Sequence, residues 1–149
     1  DLRVVVLDDN PRVGDMGVVA WALALERAPG IEVLSLSGCG VSDGAAAELG
    51  RGLAVSPSLT HLRLARGRIA DAGARALARG MAACGSLLVL DVASNFIGNA
   101  GAADLLRAFR AHPAALELDL TGNDAEDVDA GDGGSAASMQ VCVRHLRAS

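Results

Sequence analysis

The chain has no lysine and no tyrosine, and its two phenylalanines and one tryptophan put aromatics at 2% of 149 residues. Any core must therefore be aliphatic. The 51% hydrophobic content makes it sizeable and excludes disorder for most of the chain. The cysteines Cys39, Cys84 and Cys142 are odd in number and far apart. That spacing excludes a disulfide framework and a paired metal site. No Asn-x-Ser/Thr sequon exists, because Asn10 precedes Pro11 and Asn95, Asn99 and Asn123 lack the hydroxyl residue. Both absences point to a cytoplasmic setting. There is no signal peptide, apolar spanning run or lipidation motif. The chain starts at Asp1 without an initiator Met and opens on a strand, so it reads as a fragment.

Without lysine there is no G-K-[ST] phosphate loop. Gly38, Gly40 and Gly44 are spaced one residue too long for a dinucleotide loop. The net charge is −5, and five acids (Asp124, Glu126, Asp127, Asp129, Asp132) crowd one stretch. The rest of the chain is neutral, with arginine as its only permanent cation. A neutral body with an acidic end argues against a nucleic-acid partner. The acidic stretch lacks the Gly and Glu order of a calcium loop. The three histidines have no Cys or Ser partner at matching height, so no catalytic dyad is expected.

What the chain does have is a sentence that returns every 28 residues. Ile31-Glu-Val-Leu34-Ser-Leu36 recurs from Leu59 to Leu64 and again from Leu87 to Val92. Counting from the first apolar residue, positions 1, 4 and 6 are apolar and position 9 is Asn10, Cys39, Gly67, Asn95 or Asn123. The repeats run about 2–30, 31–58, 59–86, 87–114 and 115–142. A sixth starts at 143, because Val143 to Ala148 resembles Leu59 to Leu64. The alternative is a terminal cap that packs Met139, Val141 and Val143 over the last repeat.

After each strand comes a turn and then a helix. Asn10, Cys39, Asn95 and Asn123 are read as turn residues, since a short polar side chain satisfies backbone groups that leave the ladder. Gly67 cannot do this, so repeat three should have a looser or water-filled turn. Asp43 and Asp71 suit an N-cap or first-turn acid. Leu49, Leu77 and Leu105, with Leu53, Met81 and Phe109 four residues on, form one helix face. Cys39 is expected to be buried, and Cys84 to lie exposed at a turn.

This period and motif, followed by Gly-Ala-x-x-Leu-Ala-type helices, resemble the ribonuclease-inhibitor-like subfamily of leucine-rich repeats. The resemblance implies an α/β solenoid. One domain, 1–149, would carry parallel strands on a concave face and helices on a convex face of a right-handed, horseshoe-shaped arc. It further implies non-enzymatic protein binding inside the cell, in a subfamily that includes cytoskeletal scaffolds. A GTPase activator similar to the Ran-specific family is a second reading, with Asn99, Arg66 and Arg68 on the rim. A spacer in a larger protein is a third. No cofactor, metal, small-molecule ligand or membrane is expected.

Alternation along a strand turns positions 3 and 5 to the concave face. Val4, Val33, His61, Val89 and Glu117 form one row, and Val6, Ser35, Arg63, Asp91 and Asp119 the next. Asp8, Asp9 and Arg66 follow at the strand ends. The face should have a basic centre at His61, Arg63 and Arg66. One acidic flank is Asp8 and Asp9, and the other is Asp91, Glu117 and Asp119. Arg63 should reach Asp91 on the adjacent strand. The charges would then either pair among themselves or, with Val33, Val89 and Arg68, dock a protein.

Overall fold

A computed structural model describes residues 1–126 and 142–144. Strands and helices alternate as β1 (Val4–Val6), α1 (Gly14–Arg27), β2 (Val33–Ser35), α2 (Asp43–Val55), β3 (His61–Arg63), α3 (Asp71–Ala83), β4 (Val89–Asp91), α4 (Asn99–Ala111), β5 (Glu117–Asp119) and β6 (Cys142–Arg144). The six strands form one sheet in sequence order, and β1 to β5 are parallel. Pairing joins Val5, Leu34, Leu62, Leu90 and Leu118 across the sheet. The sequence period therefore equals one step across the sheet, and the chain is an α/β solenoid.

Parallel neighbours need a crossover, and each helix supplies it. The strand leucines at positions 1, 4 and 6 meet Leu49, Leu53, Leu77, Met81, Leu105 and Phe109 in a core that is shut from solvent across repeats two to four. Val41, Ile69 and Ile97 plug the space beneath each turn. Small residues bring the helices together. A Cβ on Gly80 would lie 2.3 Å from the Gly50 carbonyl oxygen, so only glycine permits that approach. Pro29, Pro57 and Pro113 follow the C-caps Ala28, Ser56 and His112, where proline cannot extend the helix.

The turn residues reach back one repeat. The Asn95 amide donates to the Leu64 and Val92 carbonyls, and its Oδ1 accepts the Ile69 N–H at 3.0 Å. Asn123 does the same to Val92, Leu120 and Ile97. Cys39 makes one such contact, Sγ to the Leu7 carbonyl at 3.0 Å, while the exposed Asn10 holds only its own turn. The turn at Gly67 is not loose. A Cβ there would stand 2.8 Å from Asn95 Oδ1 and 3.1 Å from the Val41 carbonyl oxygen. The next repeat's asparagine fills the space that a water was expected to take.

The helix acids also act outside their own repeat. Asp43 heads α2, yet its Oδ1 accepts the Ala70 and Gly73 N–H groups at the start of α3, at 2.8 and 2.9 Å. Asp71 gives the same service to Gly98 and Gly101 at the start of α4. Asp15 holds Ser42 before α2, and Asn99 accepts the Glu126 N–H. Asp43 and Asp71 therefore stand in the first turn of their own helices, one of the two places expected, while their caps are lent forward by one repeat. Gly73 and Gly101 are glycine because a Cβ would fall 2.5 and 2.7 Å from the arriving carboxylates.

Two other expectations change. Cys84 is buried, and its carbonyl accepts Nε2–H from His112. His112 Nδ1 in turn accepts the Ala114 and Ala115 N–H groups, which fixes the neutral Nε2–H tautomer. The strand read as the opening of a sixth repeat runs antiparallel to β5. A further repeat would run parallel, so Val143 packs its side chain on the core as an end strand instead. Met139, Val141 and His145 lie outside the described residues.

Asp71→Ala should cost about 1 to 2 kcal/mol, the range of a lost N-cap, and Asp71→Asn clearly less, because Asn99 already serves in that slot. Urea denaturation of the three proteins checks this order. Ser94 sits at φ 53° in a slot that Gly38 and Gly122 occupy at 70° and 72°. Left-handed strain outweighs the backbone entropy of glycine, so Ser94→Gly should raise stability by about 0.5 to 1 kcal/mol in the same assay.

Candidate functional site

The sheet face turned away from the helices presents the two rows expected. Val4, Val33, His61, Val89 and Glu117 are register partners, as are Val6, Ser35, Arg63, Asp91 and Asp119. Val4 and Val6 are more than half exposed. Val33, His61, Val89, Asp91, Glu117 and Asp119 are partly exposed, and Arg63 is exposed. Ser35 is fully buried, because its hydroxyl donates to Asp8 Oδ1 at 2.6 Å. His61 Nδ1 lies 2.8 Å from the Thr60 hydroxyl, so its ring is held by its own strand.

The charges are sorted differently from the sequence expectation. Asp8 also accepts the Ser37 N–H, so its carboxylate is engaged from two sides. Asp9 forms an ion pair with Arg66 at 3.0 Å. That pair passes over repeat two, where the matching residue is Gly38. A Cβ on Gly38 would lie 2.5 Å from Asp9 Oδ1. On the first acidic flank Asp9 is thus ion-paired internally, and Asp8 is hydrogen-bonded at Oδ1. Arg63 does not reach Asp91, and among the described residues it makes no hydrogen bond or ion pair.

On the far side Asp91 Oδ1 accepts the Ala93 N–H at 3.0 Å. Asp119 Oδ1 accepts the Thr121 N–H and hydroxyl. Burial pushes the Asp91 carboxyl above the usual range; Asp119 and Glu117 add to this, and the Ala93 N–H and Arg63 oppose it. Glu117 pairs with Arg144 of β6 at 3.1 Å. Glu117, Asp119 and Cys142 place donor atoms within 4.8 Å of one another. The guanidinium on Glu117 opposes a cation there, and burial pushes the Cys142 thiol up, away from the thiolate a metal needs.

The rim beyond the strands is largely tied down. Arg68 donates to the Gly40 carbonyl at 3.2 Å, Arg66 holds Asp9, and Asn99 caps Glu126. One rim residue escaped the sequence reading. Phe96 is 58% exposed at the position that Arg68 holds in the repeat before. Its place just after Asn95 was the available signal, since the residue after the turn asparagine points outward. On the helix side, Arg75 and Arg107 both bind Asp104 and hold its carboxyl below the ordinary range. No helix among the described residues is long and apolar enough to cross a membrane.

A family model described as leucine-rich repeat matches residues 55–78 and 83–106. No curated protein matches the chain. Among solved structures, the tropomodulin C-terminal domain of Caenorhabditis elegans is similar at 22% identity and a TM-score of 0.74, covering 81% of this chain and 74% of that one. Leiomodin-1 actin-binding site 2 is similar at 16% identity and a TM-score of 0.74, covering 88% of this chain and 74% of that one. At these identities the likeness speaks for the fold.

Asp91 yields a pH prediction. Its folded pKa lies above the unfolded value, so ionising it opposes folding. The penalty appears as pH rises through the carboxylate range and persists at neutral pH. Asp91→Asn, which keeps the acceptor for Ala93, should raise Tm at pH 7. The gain should shrink toward zero below about pH 4, where the unfolded carboxyl is also protonated. Thermal melts of both proteins across that range check the sign.

Proposed function

We propose that this chain, a leucine-rich repeat protein, is a non-enzymatic scaffold that binds a protein partner through the sheet face turned away from its helices and the adjoining rim. The carrying observation is Arg63. It is an exposed guanidinium at the centre of a face whose other cations are already engaged: Arg66 with Asp9 and Arg144 with Glu117. An arginine with no hydrogen bond or ion pair among the described residues, between partly exposed valines and carboxylates, offers charge complementarity together with apolar area. Cytoplasmic residence belongs to the same reading, as does the absence of nucleic acid, membrane, cofactor and small-molecule ligand.

A GTPase activator has to present polar groups to its target's nucleotide. The three candidates for that role are committed elsewhere, Asn99 to Glu126, Arg66 to Asp9 and Arg68 to Gly40. This weighs for the scaffold and against the activator. Actin is the first partner to try, because one similar structure is an actin-binding site of leiomodin-1.

Arg63→Glu tests the docking face without touching the core. Capture from cell lysate, quantified by mass spectrometry, should lose at least one specific protein about tenfold, the effect of about 1.4 kcal/mol. Undiminished capture removes Arg63 from the interface and, with it, this reading. Co-sedimentation with filamentous actin addresses the actin partner separately, and a protein that stays in the supernatant excludes it.

A further inference from the structure

We infer that the partner segment is an extended polypeptide carrying an apolar residue, then a carboxylate, then a basic residue, in that lateral order. The inference rests on the docking reading above and adds the chemistry of the partner.

The sheet face changes character from one end to the other once its internal pairs are subtracted. Asp9 is ion-paired with Arg66, and Asp8, beyond the end of β1 and outside the two rows, accepts Ser35 and Ser37 on Oδ1, so within the rows Val4, Val6 and Val33 are the open groups over β1 and β2. Over β3 the open group is Arg63. Over β4 and β5 Asp91 and Asp119 each commit Oδ1 to a neighbouring turn, and among the described residues Oδ2 takes no bond. The pair Glu117–Arg144 then closes the row at β6. Along the row Val6, Ser35, Arg63, Asp91 and Asp119, a ligand laid across the strands therefore meets the order apolar, cation, anion.

The dimensions suit an extended chain. Strands stand about 4.8 Å apart, so Arg63 is about 10 Å from Val6 and about 5 to 10 Å from the two aspartates. Side chains on one face of an extended peptide repeat every 6.8 Å or so, which two or three residues match. The reversed order sets the ligand's cation on Arg63 and its carboxylate on Asp91 and Asp119. Like-charge contacts of that kind disfavour a wrong partner strongly. A polyanion meets the same two aspartates beside a single arginine, so a nucleic acid or an anionic lipid surface fits poorly.

Two peptides of one composition test the order: Leu-Val-Gly-Glu-Ser-Arg and Leu-Val-Gly-Arg-Ser-Glu, capped at both ends to remove terminal charges. Each is titrated into the whole chain and followed by shifts of backbone amide signals. The first should bind at least tenfold more tightly. Arg63→Glu with Asp91→Arg should invert that preference, and Arg79→Glu, on the helix side, should leave it unchanged. Equal binding of the two peptides, abolished by Arg63→Glu, overturns the order and leaves the docking face standing. Binding of neither peptide at millimolar concentration also overturns the order, with the lysate capture then deciding the docking face alone. Binding indifferent to Arg63→Glu overturns both.

Discussion

Each helix after the first begins against an acceptor that belongs to the repeat before it. Asp15 holds the entry to α2, Asp43 that to α3 and Asp71 that to α4, and Asn99 continues the series to Glu126. The turn asparagines work in the opposite sense, from a later repeat to an earlier one. Repeats three to five are thus joined by polar bonds at both ends of the connecting turn, in addition to the ladder and the leucine core. A helix start has several N–H groups without helical partners, and satisfying them through a neighbour couples local order to stacking. A single repeat would lack both its core partner and its cap, which is why such units need company.

The sheet face is built on this regularity and takes its character from the exceptions. Equal spacing places rows of side chains opposite one another, so composition along a row becomes geography. Where a row is interrupted by Gly38, an ion pair spans the gap from Arg66 to Asp9. Exposed pairs of this kind contribute little to stability, about 0 to 1 kcal/mol. Their effect on the surface is larger, because they remove two charges from those a partner can meet. Arg63 keeps its importance for the opposite reason: among the described residues no hydrogen bond or ion pair holds it.

Much of this was legible in the sequence. The rows through Val33, His61 and Val89 and through Arg63, Asp91 and Asp119 follow from a period equal to one sheet step, and pairing bears them out. The buried Val41, Ile69 and Ile97 were legible for the same cause. The partner of a polar side chain was not. Asp43 reads as an N-cap or first-turn acid of its own helix, and it does stand in that first turn, but its acceptor atom lies against residues 27 and 30 positions away. The glycines at 73 and 101 carried the missing signal, as room for a foreign carboxylate. Gly67 misled in a similar way, since an empty side chain says nothing about which neighbour fills the space. The direction of β6 was illegible because Val143 to Ala148 has the apolar spacing of a repeat strand, and spacing carries no strand direction.

The forward loan of capping groups gives the stack an arrow. The N-cap of α1, Val13, makes no side-chain bond, whereas α2, α3 and α4 are each received by an acid already in place. The two faces of a repeat are therefore chemically different, one offering an acceptor and the other requiring it. A unit inserted anywhere in register finds both needs met, and the same unit inserted backwards meets neither. Lengthening such an array by whole periods is consequently permitted by its polar chemistry, while any shift of a few residues leaves a carboxylate and a helix start both unmatched.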